Sequence, residues 1–135
     1  MESSWIVNIA VPALVSLWAY ARFAPVKGLR TLSPAEFGAA LKQEKDTFLM
    51  DVREPYEFKG GSIPGAGNIP LSQLPKRMAE IPREREVLLY CRSGIRSKQA
   101  AKLLSRRGFS KLAHLRGGLA TWKGPITKEP PIVGD

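Results

Sequence analysis

The chain has 135 residues, room for one domain once an N-terminal apolar stretch is set aside, and it carries no internal duplication. Its 21 lysines and arginines outnumber 12 aspartates and glutamates, a formal net charge of +9 that requires an anionic partner or surface. Nucleic acid is not the expected one: there is no zinc-finger spacing or aromatic-basic ribonucleoprotein motif, and the basic residues are scattered.

Residues 5–21, WIVNIAVPALVSLWAYA, carry no charge and are long enough, at 17 residues, for a short membrane span. Trp5 at one end and Trp18 and Tyr20 at the other suit the two interfaces, Arg22 can snorkel, and Pro12 permits a kink. A cleaved signal peptide and a buried core helix compete with this reading. Ala19-Tyr20-Ala21 has the small-x-small form of a cleavage site, but no lysine or arginine precedes the apolar run. A helix apolar on all sides is a membrane span or lies in the core of a large protein, and a chain this small has no such core to surround it. The expectation is one membrane anchor, and Arg22, Lys27 and Arg30 after it place the rest of the chain on the cytoplasmic side.

Val26 to Thr31 reads as a connector. Ser33-Pro34-Ala35-Glu36 has the form of a capping box with proline at N1, so a helix should start there, with Phe37, Ala40 and Leu41 as its apolar stripe. Thr47 to Val52 reads as a strand that delivers Asp51 and Arg53 to its carboxyl end, where open α/β sheets place their sites. Glu57 and Phe58 fall on a short helical turn. Gly60 to Gly67 must be loop, Asn68 to Pro70 an edge strand, and Ser72 to Ile81 a helix with Leu74, Met78 and Ile81 inward.

Val87 to Tyr90 is an all-apolar run of the kind that forms a buried parallel strand, and Cys91-Arg92-Ser93-Gly94-Ile95-Arg96-Ser97 follows it directly. The helix after it runs through Ala100, Ala101, Leu103 and Leu104 to Arg106 and Arg107, with Gly108 as the stop. The only cysteine therefore sits at a strand-to-helix turn, where unpaired backbone N–H groups and the helix dipole favour an anion such as a thiolate. A lone cysteine is most often a small buried hydrophobe. Gly94 and two arginines within five residues suit an anion cradle better. Lys111 to Leu115 is the last strand, and Gly117-Gly118 turns the chain toward Trp122, expected in the core, before a proline-bearing tail from Lys123.

Four residues separate Cys91 from Arg96, one fewer than in the phosphate-clasping loop of cysteine phosphatases, which suits a single sulfur atom. The loop resembles that of the rhodaneses, the sulfurtransferases. So do Leu49 to Phe58 (LMDVREPYEF), Gly61 to Ala66 (GSIPGA) and Leu115 to Trp122 (LRGGLATW), in this order. Together they cover most of the chain after residue 30.

The resemblance implies an α/β domain with a central, mostly parallel sheet flanked by helices, here residues 28–128, preceded by the N-terminal segment 1–27 and followed by a tail at 129–135. It implies that Cys91 takes a sulfane sulfur from a small anionic donor such as thiosulfate and passes it to a thiol, cyanide or a sulfur-carrier protein. Arg92, Ser93, Gly94, Ile95 and Arg96 form the binding loop, with Arg92 selecting an anionic donor. Arg96 would hold the loop through a carboxylate such as Asp51, and Asp51 and Arg53 would support it. No metal or organic cofactor is implied. Ser62 stands where many members carry histidine. His114, the only histidine, is not expected to act as a base, because a thiolate stabilised by dipoles needs none. The rival expectation is a membrane-tethered interaction or sulfur-relay module that presents Cys91 to a protein partner.

Overall fold

The computed structural model describes residues 3–43 and 46–128; the tail expected over 129–135 lies outside the described residues. Five strands, β1 (Leu29–Leu32), β2 (Thr47–Asp51), β3 (Gly67–Asn68), β4 (Glu86–Tyr90) and β5 (Leu112–Leu115), form one sheet. Its order is β1-β5-β4-β2-β3, and every neighbouring pair is parallel. Parallel neighbours need crossovers. The helices α2 (Pro34–Gln43), α3 (Pro55–Lys59), α4 (Leu74–Arg77) and α5 (Ile95–Arg106) lie in the connections, after an N-terminal α1 (Val11–Phe23).

Strand β4 is paired on both edges, by β5 and β2, and α5 and α2 pack on its two faces, so its run of apolar residues follows. Alternation sends Val87, Leu89 and Cys91 to one cluster with Ala100, Ala101 and Leu104 of α5, and Leu88 and Tyr90 to the other with Phe37 and Ala40 of α2. Leu88, Leu89 and Leu104 have no exposed area, and a side chain so buried contributes about 1.5–3 kcal/mol. Trp122 is half-buried and meets Phe37 edge-on at 5.9 Å.

The predicted capping box is present. Glu36 N–H donates to Ser33 Oγ at 3.2 Å, and Ser33 N–H donates to Glu36 Oε1 at 3.0 Å. Helix α5 ends as expected: Gly108 adopts φ +91° and Phe109 N–H reaches back to the Leu104 carbonyl, a Schellman closure.

Three local expectations need correction. The connector over Val26 to Thr31 is in fact the edge strand β1 from Leu29, which four residues without clean alternation did not reveal; β5 supplies its pairing. The helix expected over Ser72 to Ile81 is only one turn of α4 followed by a 3₁₀ turn, Met78–Glu80; Pro75 falls in the first turn, where its missing N–H is tolerated, so the helix begins only at Leu74. The tail from Lys123 is partly anchored, because Ser62 and Thr127 form an antiparallel bridge.

Before α1 the chain is wound as a π-helix, Ile6–Ala10, immediately ahead of Pro12, whose ring would crowd the carbonyl one turn back in a regular α-helix. Among the described residues, Ile6–Phe23 is the one helix long and apolar enough to cross a membrane, and none of it is buried in the protein. That exposure is not what a core helix shows.

Candidate active site

Strand β4 ends at Tyr90, and Cys91 begins the turn into α5. Gly94, the residue before the helix, has φ +97°, a left-handed backbone that glycine adopts without strain. This turns its N–H inward: Gly94 N lies 3.0 Å from Cys91 Sγ and Ser97 N lies 3.3 Å from it. Both donors belong to the start of α5, where backbone N–H groups have no intrahelical acceptor. The sulfur is thus the cap of the helix, and Cys91 has no exposed area. Arg92, Ser93 and Ile95 of the same loop are exposed, and Arg92 makes no side-chain bond with the described residues.

A second glycine supports the loop from below. Gly118 has φ +60°, and a Cβ there would stand 2.4 Å from the Cys91 carbonyl oxygen. In its absence the turn closes tightly: Leu119 N–H donates to the Cys91 carbonyl at 2.9 Å and Ala120 N–H to the Arg92 carbonyl at 3.0 Å. The Gly117-Gly118 pair is therefore the floor of the cysteine loop as well as a turn.

Arg96 does not meet Asp51. Its guanidinium forks onto Glu57 of α3, Nη1 to Oε1 at 2.7 Å and Nη2 to Oε2 at 2.9 Å. Asp51 is instead occupied by its own neighbour, Arg53. Arg53 donates to it from the backbone N at 2.9 Å, from Nε at 3.0 Å and from Nη2 at 2.6 Å, and also reaches the Gly61 carbonyl at 2.6 Å. Asp51 and Arg53 are both buried. They hold the Gly60–Gly67 loop rather than the cysteine loop directly. Burial works against the Arg53 charge, but its hydrogen bonds to Asp51 and the carboxylate's charge outweigh it and raise the guanidinium pKa. Tyr90 lies under that guanidinium at 5.9 Å and accepts the Ile63 N–H at 3.0 Å. Its phenol is pushed up by burial and by the Asp51 carboxylate, so it stays neutral.

Glu57 falls on the expected helical turn, α3, and carries a role that its local sequence does not announce. The hydrogen bonds from Arg96 bring its pKa down to about 2 from an ordinary 4.5, against the raising effect of burial. A depressed carboxylate stabilises the fold above its unfolded value and loses that contribution as pH falls through the folded one. The clamp should hold fully above about pH 4.5 and fail progressively toward pH 2. Glu57→Gln should cost about 1–2 kcal/mol at neutral pH, a figure lowered for the partial exposure of both side chains, and should flatten the acid limb of a melting-temperature profile. An unchanged acid limb would remove Glu57 from this role.

Beside the loop, Gly94, Ile95, Lys98, Gln99 and Lys102 line a cleft of about 370 Å³ whose other wall is the end of α1. A larger apolar cleft of about 810 Å³ between α2 and the Trp122 region contains none of the cysteine loop. Among the described residues no group of three or more histidine, cysteine, aspartate or glutamate side chains could hold a metal ion.

A thiol cradled by backbone donors at the carboxyl end of a parallel sheet defines a cysteine-loop protein of the α/β class. Residues 33–125 match the family model of the rhodanese-like domain, and the chain belongs to that family. It is 45% identical over 98 residues to the uncharacterized protein YqhL of Bacillus subtilis, spanning 73% of this chain and 75% of that protein. It is 44% identical over 82 residues to a sulfurtransferase of Allochromatium vinosum, spanning 61% of this chain and 77% of that one. Among solved structures, a rhodanese-related protein of Thermoplasma volcanium superposes with a TM-score of 0.67 at 30% identity, over 74% of this chain and 99% of its own. The family and its sulfurtransferase relatives support a role in sulfur transfer or sulfur carriage.

Proposed function

We propose that the protein is a sulfurtransferase that carries sulfur as a persulfide on Cys91. The observation that carries this reading is the pair of N–H groups, from Gly94 and Ser97, aimed at one buried sulfur. In the first half-reaction the Cys91 thiolate attacks the outer sulfur of a donor such as thiosulfate. A Cys91 S–S bond forms, the donor's S–S bond breaks, and sulfite leaves with the electron pair. In the second, a thiol, cyanide or sulfur-carrier protein attacks the outer sulfur and regenerates the thiolate, a ping-pong scheme of covalent catalysis. Loop N–H groups would hold the outer sulfur as an oxyanion hole holds oxygen. Arg92, exposed at the loop and without a side-chain bond to the described residues, would select an anionic donor.

The test is the intact mass of the purified chain. Thiosulfate should add one sulfur atom and cyanide should remove it; a chain that takes up no sulfur from thiosulfate or from a persulfide donor ends the reading.

The sulfur-relay reading draws on a different observation, the exposed Ile95 with Lys98 and Lys102 beside it, which offers an apolar and basic surface to an acidic carrier protein. Faster discharge of the persulfide to a carrier protein than to cyanide would favour the relay.

The proposal includes a membrane tether through residues 5–21, with the domain of residues 28–128 facing the cytoplasm. Its support is the exposed apolar helix Ile6–Phe23, with Arg22 in its last turn and Lys27 and Arg30 after it. The full chain should remain with membranes through carbonate extraction, and a reporter fused after Asp135 should be cytoplasmic. Release by carbonate, or a mature N-terminus at Arg22, would overturn the tether.

A further inference from the structure

His114 lies at the carboxyl end of β5, buried, in register with Thr31 of β1 on one side and Leu89 of β4 on the other. Its Nδ1 is 2.9 Å from Ser97 Oγ and its Nε2 is 3.1 Å from Thr31 Oγ1. Ser97 Oγ is in turn 3.6 Å from Cys91 Sγ and 3.1 Å from the Gly94 carbonyl oxygen. An unbroken line of four polar side chains therefore joins the buried sulfur to Thr31, which is exposed. The imidazole touches the serine, not the sulfur, so it is no base toward Cys91 in the ordinary sense.

Proton bookkeeping gives the line two states. A serine hydroxyl has one proton, and a neutral imidazole has one donor and one acceptor nitrogen. With Cys91 as a thiol, S–H donates to Ser97 Oγ, Ser97 donates to Nδ1, and Nε2–H donates to Thr31 Oγ1. With Cys91 as a thiolate, the sulfur only accepts, and Ser97 can add its O–H to the Gly94 and Ser97 N–H donors by turning its proton away from Nδ1 and from the Gly94 carbonyl. That is open to Ser97 when Nδ1–H donates to Oγ and Nε2 accepts from Thr31.

We propose that Ser97 and His114 form a reversible hydrogen-bond line that stabilises the Cys91 thiolate and carries its proton to and from the surface at Thr31. On deprotonation the thiol proton passes to Ser97 Oγ, the serine proton to Nδ1, the Nε2 proton to Thr31 Oγ1, and the threonine proton to water. One proton leaves the sulfur and one reaches solvent. His114 ends as the other neutral tautomer, and no redox partner is involved. His114 is then a positioning residue that acts through Ser97.

The line works only while His114 is neutral, since a charged imidazole donates from both nitrogens. Burial first, then the charges of Lys98 on α5 and Arg116 beyond β5, hold its pKa down to about 4. The residues that flank it on β1 and β4, Thr31 and Leu89, are uncharged. The thiolate in this line is the nucleophile of the sulfurtransferase reading, and the inference rests on that reading for its use.

The experiment needs no sulfur donor. The ultraviolet absorbance of the thiolate is followed against pH in the full chain, with the Cys91→Ser chain as blank. His114→Leu and Ser97→Ala should each move the midpoint up by about one pH unit, roughly tenfold less thiolate below it. The double variant should add little to either single one, because both remove the same contact. His114→Asn, whose amide N–H stands near Nδ1, should recover most of the shift, which a merely structural histidine would not show. Unchanged midpoints, or a His114→Asn chain no better than His114→Leu, would overturn the proposal. If His114→Leu does not fold, Thr31→Val decides from an exposed position: a midpoint raised by a few tenths of a pH unit supports the line, and an unmoved one overturns it. Shifted midpoints in a chain that takes up no sulfur would leave the proton line standing and sink the sulfurtransferase reading instead.

Discussion

Cys91→Ser should abolish sulfur uptake from thiosulfate, leaving the intact mass unchanged after incubation. An alcohol stays protonated where a thiol ionises, and it is a poor nucleophile toward sulfur. The fold should survive, because the Gly94 and Ser97 N–H groups that meet the sulfur at 3.0 and 3.3 Å would meet a hydroxyl oxygen in its place. Arg92→Ala should behave differently. Loss of one charge-assisted hydrogen bond costs about 1.5–3 kcal/mol, roughly a ten- to hundred-fold fall in kcat/KM with thiosulfate, mainly in KM if the contact is equal in ground and transition states. An uncharged or protein-borne persulfide donor should lose less. Equal losses with charged and uncharged donors would show that Arg92 shapes the loop, and sulfur uptake by Cys91→Ser would end the persulfide mechanism.

The largest expected loss of stability is at Asp51. Asp51→Ala leaves Arg53, a residue 5% exposed, with the Gly61 carbonyl as the remaining hydrogen-bond acceptor for its guanidinium among the described residues. Breaking a buried pair from one side costs about 3–5 kcal/mol, against a total stability of about 5–15 kcal/mol for a domain of this kind. The damage should spread along the Gly60–Gly67 loop, since Tyr90 packs under the same guanidinium and holds Ile63 N–H. Denaturant unfolding should show a midpoint far below that of the parent chain. Adding Arg53→Met to Asp51→Ala should recover part of it, because the second change removes the stranded charge. A cost under about 1 kcal/mol, or a double variant worse than the single, would show that the pair carries little of the fold.

Much of this was legible in the residues themselves because its causes are local. The apolar run Val87 to Tyr90, the glycine at 94 and the capping box at Ser33 depend on side-chain volume, backbone freedom and bonds spanning a few residues. The cradle of Cys91 is of this kind, since its donors at Gly94 and Ser97 lie within six residues of the sulfur. The single N-terminal apolar stretch and the absence of duplication were equally open to inspection.

What required the tertiary structure was pairing between distant parts of the chain. Glu57 and Arg96 are 39 residues apart, and nothing in either neighbourhood says that α3 will bring a carboxylate to α5 before Asp51 does. Leu29–Leu32 is a strand because β5 lies beside it, not because its own pattern alternates. Gly118 reads as a turn glycine until the Cys91 carbonyl is found where its Cβ would be. His114 likewise became part of the site only through the β1–β5–β4 register, which sets Thr31 beside it and α5 above it. A sequence displays the donors and acceptors of each segment, but a long-range bond depends on the packing of two segments whose meeting neither one encodes alone.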